Sequence, residues 1–275
     1  MKIGIFDSGM GGLSVLHQAL TMLPGADFIY YADEAHVPYG EKTIEQIEGY
    51  IADVIDFMLK EQVDAIVIAC NTATTVATKE YRARFPIPII GMEPAVKKAI
   101  DLMHEEGCTN DRDRILVIAT PVTIASDKLN HLLERYDSDK MVDKAALPGL
   151  VRFAERGEFS SDAVDAYLKE TLKDYPLEAY SKVVLGCTHF NYFKEAIRNA
   201  ISKDFAFVDG NEGTIRQLER KLTEMGYQLG DTKRESLQLS DESCVEYYFS
   251  GAPVTEKEQD RIEVYMRQLE RVKEL

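Results

Sequence analysis

The sequence predicts an α/β protein with two similar halves, each built on a mostly parallel sheet flanked by helices. Two β-branched apolar runs support this prediction, and each ends in a cysteine: AIVIACNT at residues 65–72 and KVVLGCTH at residues 182–189. Such runs are typical of buried parallel strands. Up to residue 94, strand-like and helix-like segments alternate as βαβαβαβ, which indicates a parallel sheet covered on both faces.

The spacing of the strand ends favours two related halves. Asp7, at the end of the first predicted strand, precedes Cys70 by 63 residues. Thr120, at the end of a later apolar strand, precedes Cys187 by 67 residues. Ligands of α/β sheets bind outside the carboxyl ends of the strands. We therefore expect the two thiols to face each other across one small site.

The chain is long enough to form two domains, since it has 275 residues. We expect a first α/β domain of residues 1–94 plus 210–275 and a second of residues 95–209. The active site is expected in the cleft between them. The last helix is expected to pack back on the first half.

Apolar periodicity predicts the remaining elements. Further strands are expected at residues 2–6, 28–31, 87–90, 114–120, 205–208 and 245–249. Helices are expected at residues 13–20, 43–59, 75–84, 97–104, 123–135, 148–156, 160–173, 192–201, 214–225 and 257–275.

The composition argues against several function classes. The formal net charge of −15 argues against binding nucleic acid or a membrane surface through a basic face. No apolar run approaches the roughly 20 residues that a membrane span needs. The chain enters a strand at once, without a leader, so we expect a cytoplasmic protein. The four cysteines form no CxxC pair, which predicts free thiols, with Cys108 and Cys244 structural.

The turn DSGMGG at residues 7–12 follows the first strand. Because position 14 is Ser14, the turn lacks the third glycine of a dinucleotide fingerprint, and it also lacks the Gly-Lys-Ser/Thr of a phosphate loop. One interpretation is a tight turn whose glycines adopt positive φ. Another is a group of backbone N–H donors at a helix N-terminus that binds an anion such as a carboxylate.

Cys70 and Cys187 allow several interpretations. Both could be small buried apolar side chains. A zinc site could add His189, but Cys-x-His is not a usual ligand spacing and no fourth ligand is evident, so no metal is expected. A Cys–His hydrolase would leave the second cysteine unused. Two thiols on opposite faces of one carbon suit stereoinversion, in which a thiolate removes a proton and a thiol returns one, with Asp7 and His189 as neighbours.

Four motifs occur in order along the chain: DSGMGG at residues 7–12, PYG at 38–40, ACNTA at 69–73 and GCTH at 186–189. Together they make the chain resemble the glutamate racemase family over nearly its whole length. The resemblance implies a racemase with two pseudo-symmetric domains and no cofactor. It further implies interconversion of L- and D-glutamate, supply of D-glutamate for peptidoglycan, and a homodimer.

The resemblance also assigns roles to residues. It implies that Cys70 acts on D-glutamate and Cys187 on L-glutamate, assisted by Asp7 and His189. The residues expected to contact substrate are Asp7, Ser8, Pro38, Tyr39, Gly40, Asn71, Thr72, Thr120, Thr123, Thr188 and His189. The choice between Thr120 and Thr123 stays open.

The chain departs from the family pattern at two places, both in the second half. Phe190-Asn191-Tyr192 stands where many relatives have Tyr-Pro-Leu, and ATPVT at residues 119–123 stands where Gly-Thr-x-x-Thr is more frequent. Three other functions are open. They are an aspartate racemase, a binding or regulatory protein of the same fold, and a pyridoxal-phosphate enzyme, for which no Schiff-base lysine stands out. The intact cysteines with Asp7 and His189 argue against the binding protein.

Overall fold

Two sheets organise the computed structural model, which describes residues 1–107, 113–201, 204–228 and 244–275. Cys108, predicted to be structural, lies outside the described residues. The strands are β1 (Lys2–Asp7), β2 (Asp27–Ala32), β3 (Ala65–Ile68), β4 (Ile89–Gly91), β5 (Arg114–Ala119), β6 (Val142–Ala146), β7 (Tyr180–Gly186), β8 (Ala206–Asp209), β9 (Val245–Phe249) and β10 (Ala252–Pro253).

The two sheets repeat one strand order. The first sheet has the order β10-β9-β2-β1-β3-β4, and the second has the order β6-β5-β7-β8. Paired strands run parallel except for β9 and β10, which are antiparallel. Strand β1 therefore corresponds to β5, and β3 to β7. The predicted α/β fold with two mostly parallel sheets is confirmed.

Helices cover the sheets. They are α1 (Leu13–Met22), α2 (Ile44–Lys60), α3 (Asn71–Val76), α4 (Lys79–Arg82), α5 (Val96–Glu105), α6 (Pro121–Ala125), α7 (Asp127–Tyr136), α8 (Pro148–Glu155), α9 (Asp162–Leu172), α10 (Lys194–Ile201), α11 (Asn211–Glu224) and α12 (Glu256–Val272). A 3₁₀ helix at Thr188–Phe193 leads directly into α10. Thr43 and Thr255 begin α2 and α12 with capping boxes, in which the hydroxyl accepts a hydrogen bond from the N–H three residues later.

Several predicted helices are divided or differently bounded. The helix expected at residues 75–84 is the pair α3 and α4, because the Thr78 side chain caps a new helix start. The helix expected at 123–135 is likewise interrupted at Ser126, whose extended backbone and side chain cap α7. Strand β6 was not predicted, because its sequence VDKAA mixes charged and small residues at an edge of the sheet.

Helix α12 packs on both halves, whereas the sequence suggested the first half alone. Its buried residues Ile262, Tyr265 and Leu269 belong to one core cluster that also contains Leu16 of α1 and Phe190 of the 3₁₀ helix. The C-terminal helix therefore buries apolar surface against a helix from each half of the molecule. Its packing stabilises both halves together.

Candidate active site

Cys70 lies where strand β3 leads into helix α3. Its sulfur accepts a hydrogen bond from the backbone N–H of Ala73 at 3.4 Å, and its thiol donates to the Ser8 hydroxyl at 3.9 Å. Burial raises the pKa of Cys70 well above its ordinary value, and the carboxylate of Asp7 adds to this shift. Both effects favour the protonated thiol of Cys70.

Cys187 lies at the equivalent position after strand β7, where the 3₁₀ helix begins. Its sulfur is 3.7 Å from Nδ1 of His189, whose Nε2 bonds the Glu155 carboxylate at 2.5 Å. Burial alone would lower the pKa of His189, but the hydrogen bonds to Cys187 and Glu155 raise it well above its ordinary value. An imidazolium ring therefore stands beside Cys187.

Both cysteines line one narrow cavity that takes residues from the two sheets. Its lining consists of Ser8, Pro38, Tyr39, Gly40, Cys70, Asn71, Thr72, Thr120, Val151, Cys187, Thr188 and His189. Two of the predicted site residues lie behind this lining: Asp7, which is fully buried, and Thr123, whose hydroxyl accepts a hydrogen bond from Thr120 at 3.1 Å. Thr120, not Thr123, faces the cavity. Val151 of α8 was not predicted.

Two hydrogen bonds join the halves at the cavity. The Thr188 hydroxyl donates to Oδ2 of Asp7 at 3.0 Å. The hydroxyls of Thr72 and Thr120 lie 3.0 Å apart. Each bond joins a residue at the carboxyl end of β1 or β5 to a residue just after the cysteine of the other half. The repeated strand order thus places equivalent strand ends at one site.

Asp7 is a buried carboxylate between the two cysteine sites. Its Oδ1 accepts the backbone N–H of Ser8 at 2.8 Å. Burial raises the pKa of Asp7, while the positive charge of His189 and the hydrogen bonds from Ser8 and Thr188 oppose that shift. Asp7 therefore bonds the residue next to the thiol of the other half, while the thiol of its own half donates to the adjacent Ser8.

The glycine-rich turn at residues 7–12 packs against the site. None of its three glycines has a positive φ, so the interpretation that required positive φ was wrong. A Cβ on Gly11 would instead overlap the ring of His189 and the hydroxyl of Thr188. Glycine is needed here for close approach, because any larger residue would displace the histidine beside Cys187.

The same turn binds a carboxylate that belongs to the chain itself. The backbone N–H of Met10 donates at 3.0 Å to Oε1 of Glu155, the oxygen that also bonds His189. Burial opposes ionisation of Glu155, but the hydrogen bond to His189 lowers its pKa overall. The sequence did not indicate Glu155, because it ends an ordinary amphipathic helix 34 residues before His189.

The loop after strand β2 forms another wall of the cavity, and its Val37–Pro38 peptide bond is cis. The Tyr39 hydroxyl donates to Oδ2 of the buried Asp33 at 2.6 Å. A Cβ on Gly40 would come within 3.2 Å of Thr120, so this loop approaches the second half closely. Asp33, which holds the Tyr39 ring, was not predicted as a site residue.

Asn71 presents an unused acceptor near the cavity. Its side-chain N–H donates to the sulfur of Met92 at 3.2 Å. Its Oδ1 is buried and has no hydrogen-bond partner among the described residues, an arrangement that costs free energy unless a ligand supplies a donor. None of the described residues that line the cavity is a lysine or arginine. An anionic ligand there would be held by hydroxyl and N–H donors.

Cys70 and Cys187 are free thiols, as predicted. Within the described ranges, no group of three or more histidine, cysteine, aspartate or glutamate side chains is arranged to hold a metal ion. In that same part of the chain, no helix combines the length and apolar character that crossing a bilayer requires.

Known proteins share this sequence pattern over its length. The family model for aspartate, glutamate and hydantoin racemases matches residues 10–218. A glutamate racemase from Campylobacter curvus (strain 525.92) is 47% identical over 276 aligned positions, which cover 100% of this chain and 100% of that protein. The chain belongs to the aspartate/glutamate/hydantoin racemase family. It is therefore an isomerase.

Solved structures of racemases share the fold. Glutamate racemase from Campylobacter jejuni subsp. jejuni superposes with a TM-score of 0.76 at 26% identity, covering 97% of this chain and 98% of that chain. Glutamate racemase from Francisella tularensis subsp. tularensis SCHU S4, in complex with D-glutamate, gives a TM-score of 0.75 at 26% identity, covering 97% of this chain and 93% of that chain.

Proposed function

We propose that the chain interconverts L- and D-glutamate without a cofactor, by proton transfer through Cys70 and Cys187. The proposal rests on one observation: two cysteines at equivalent strand ends of two similar sheets line the same cavity. Glutamate as the substrate is supported by the activity of the Campylobacter curvus relative and by the D-glutamate bound in the Francisella tularensis structure.

Each direction needs one thiolate and one thiol. From L-glutamate, the thiolate of Cys187 takes the α-proton and becomes a thiol, while the electron pair of the broken C–H bond is delocalised into the α-carboxylate. Cys70 then donates its thiol proton to the opposite face of the α-carbon and becomes a thiolate. From D-glutamate the same steps run in reverse, with Cys70 as the base and Cys187 as the acid.

The surroundings of the two sulfurs support these roles. The imidazolium of His189 lies 3.7 Å from the sulfur of Cys187, where it stabilises a thiolate. Burial and the carboxylate of Asp7 favour the protonated thiol of Cys70. The two walls of the cavity therefore differ in charge, with a cation beside Cys187 and a carboxylate near Cys70.

We assign substrate binding to the polar lining of the cavity. The unpaired Oδ1 of Asn71 is suited to accept the α-ammonium group. The two carboxylates would accept hydrogen bonds from hydroxyl and backbone donors, supplied by Ser8, Tyr39, Gly40, Thr72, Thr120 and Thr188 beside the wall at Pro38. Thr123 would orient Thr120 without touching substrate, and Asp7 and His189 would assist the two cysteines.

We also propose the domain bounds, the cellular compartment, the oligomeric state and the metabolic role of the enzyme. We propose domains of residues 1–94 plus 210–275 and 95–209, since each set contains the strands of one sheet. The enzyme would act in the cytoplasm as a homodimer and supply D-glutamate for peptidoglycan synthesis.

Racemisation of glutamate by metal-stripped protein tests this function. After exhaustive dialysis against a chelator, the protein should bring L- and D-glutamate to the same racemic end point, followed by optical rotation. Neither added zinc nor pyridoxal phosphate should raise the rate, and aspartate should react far more slowly. Faster reaction of aspartate would reassign the substrate. Activity that returned only with zinc would overturn the two-thiol mechanism.

A further inference from the structure

Arg261 of helix α12 bonds the carboxylate that holds His189. Its guanidinium donates to Oε2 of Glu155 at 3.0 Å and to the backbone carbonyl of Glu155 at 3.0 Å. It also donates to Oε2 of Glu34 at 2.9 Å. One guanidinium thus joins two carboxylates from different elements, a task suited to its forked set of donors.

One carboxylate oxygen of Glu155 bonds residues of the site, and the other bonds the C-terminal helix. Oε1 accepts hydrogen bonds from Nε2 of His189 at 2.5 Å and from the N–H of Met10 at 3.0 Å. Oε2 accepts the hydrogen bond from Arg261. With both oxygens bonded, the carboxylate has little freedom to rotate away from the histidine.

Glu34 is a second carboxylate close to Glu155, and the guanidinium of Arg261 lies between them. Burial raises the pKa of Glu34 and the charge of Glu155 adds to this shift, whereas Arg261 opposes it. Oε1 of Glu34 is buried and has no hydrogen-bond partner among the described residues. Without Arg261, the two neighbouring carboxylates would repel each other, and Glu155 would lose the partner of its Oε2 and turn away from His189.

Helix α12 is fixed to both elements that carry the pair. The Tyr265 hydroxyl donates to the carbonyl of Ala154, next to Glu155, at 2.5 Å. The Gln268 amide donates to the carbonyl of Tyr192, in the 3₁₀ helix that contains His189, at 2.9 Å. These two bonds, both from residues that follow Arg261 in the helix, fix the helix that carries Arg261.

We propose that Arg261 is a positioning residue, which keeps Glu155 directed at His189 and so maintains a positive charge beside Cys187. This inference rests on the proposed role of Cys187 as a base. Besides Arg261, titratable groups face the Glu155–His189 pair from each element packed against it: Asp7, Tyr30, Glu34, Cys187, Tyr192 and Tyr265.

The test is the titration of His189, followed by NMR of ¹⁵N-histidine-labelled, substrate-free protein. Its signal among the five histidines is identified by its absence in His189→Gln. In Arg261→Gln, His189 should lose its proton at a lower pH than in the unsubstituted protein. Because a lysine cannot reach both carboxylates with equal geometry, Arg261→Lys should show a smaller change in the same direction.

Two further variants separate this role from general damage to the fold. Arg267→Gln removes an exposed arginine of the same helix that pairs with Glu263, and should leave the titration unchanged. Glu34→Gln combined with Arg261→Gln removes the competing carboxylate, and should restore much of the His189 titration. An unchanged titration in the Arg261 variants that fold, or no recovery in the double variant, would overturn the proposal.

Activity provides an independent measurement. In Arg261→Gln, kcat/KM for glutamate should fall about 10- to 100-fold, as is typical when a group that orients a functional side chain is lost. The titration needs no substrate. If the unsubstituted protein failed to racemise glutamate, the proposed function would fall while the titration would still decide the role of Arg261.

Discussion

Among single residues, Thr188 affects both the stability of the fold and the geometry of the site. Its hydroxyl donates to the fully buried carboxylate of Asp7, and this bond links the strand ends of the two halves. A buried carboxylate is costly unless donors replace the water that it has lost. Thr188 therefore contributes both to stability and to the geometry between the two cysteine sites.

Replacement of Thr188 by valine removes this donor while keeping the shape of the side chain. We expect the free energy of unfolding at pH 7, measured in urea, to fall by about 1–3 kcal/mol. Because the hydroxyl stabilises the ionised form of Asp7, its contribution exists above the pKa of that group and is lost as the pH falls through it. Thr223→Val, at an exposed helix position, is the control. Equal losses in both variants, independent of pH, would contradict this account.

Gly11, in the turn after strand β1, packs against His189 and Thr188. A methyl group there would overlap His189 and Thr188, so Gly11→Ala should displace the histidine and reduce kcat by about 100-fold or more. Gly213→Ala is the matched control, because its Cβ meets nothing within 4 Å on helix α11. It should keep full activity and gain about 0.5–1 kcal/mol of stability. A fully active Gly11→Ala protein would show that the turn does not constrain His189.

At the level of elements, strands that are apolar on both faces could be predicted and the edge strand could not. Strands β3 and β7 are buried on both faces, so their sequences show long β-branched runs. Strand β6 has a partner on one side only, and its VDKAA sequence carries no such pattern. The prediction of positive φ in the glycine-rich turn at residues 7–12 was wrong. The sequence does not show whether a glycine is needed for its φ or for the close approach of another residue.

Helix α12 owes part of its stability to the residue that caps its N-terminus. Thr255 begins the helix with a capping box whose partner is Glu258. Thr255→Ala leaves the backbone N–H of Glu258 without its side-chain acceptor and should lower the free energy of unfolding by about 1 kcal/mol, measured by urea denaturation. Ser138→Ala, which removes an exposed hydroxyl bonded to its neighbour Asp139, should cost much less. Similar effects of the two substitutions would show that the cap does not stabilise the helix.

At the level of the whole molecule, the repeated strand order explains how much of the site could be predicted. Residues that follow equivalent strands meet at one edge, so Cys70, Cys187, Asp7 and Thr120 could be grouped from sequence spacing. Glu155 and Arg261 could not be grouped with them, because both come from helices, and no sequence motif shows how those helices pack across the two halves. Arg261 lies 106 residues from its partner Glu155.

We propose that Cys70 and Cys187 act on opposite faces of one carbon. A glutamate analogue with a β-leaving group tests it directly, because elimination requires removal of the α-proton but no second proton donor. Each cysteine is replaced by serine, and elimination from the D and L analogues is measured separately. Cys187→Ser should eliminate preferentially from the D analogue, through Cys70, and Cys70→Ser from the L analogue, through Cys187. Equal elimination from both enantiomers by both variants would contradict the assignment of the two thiols to opposite faces.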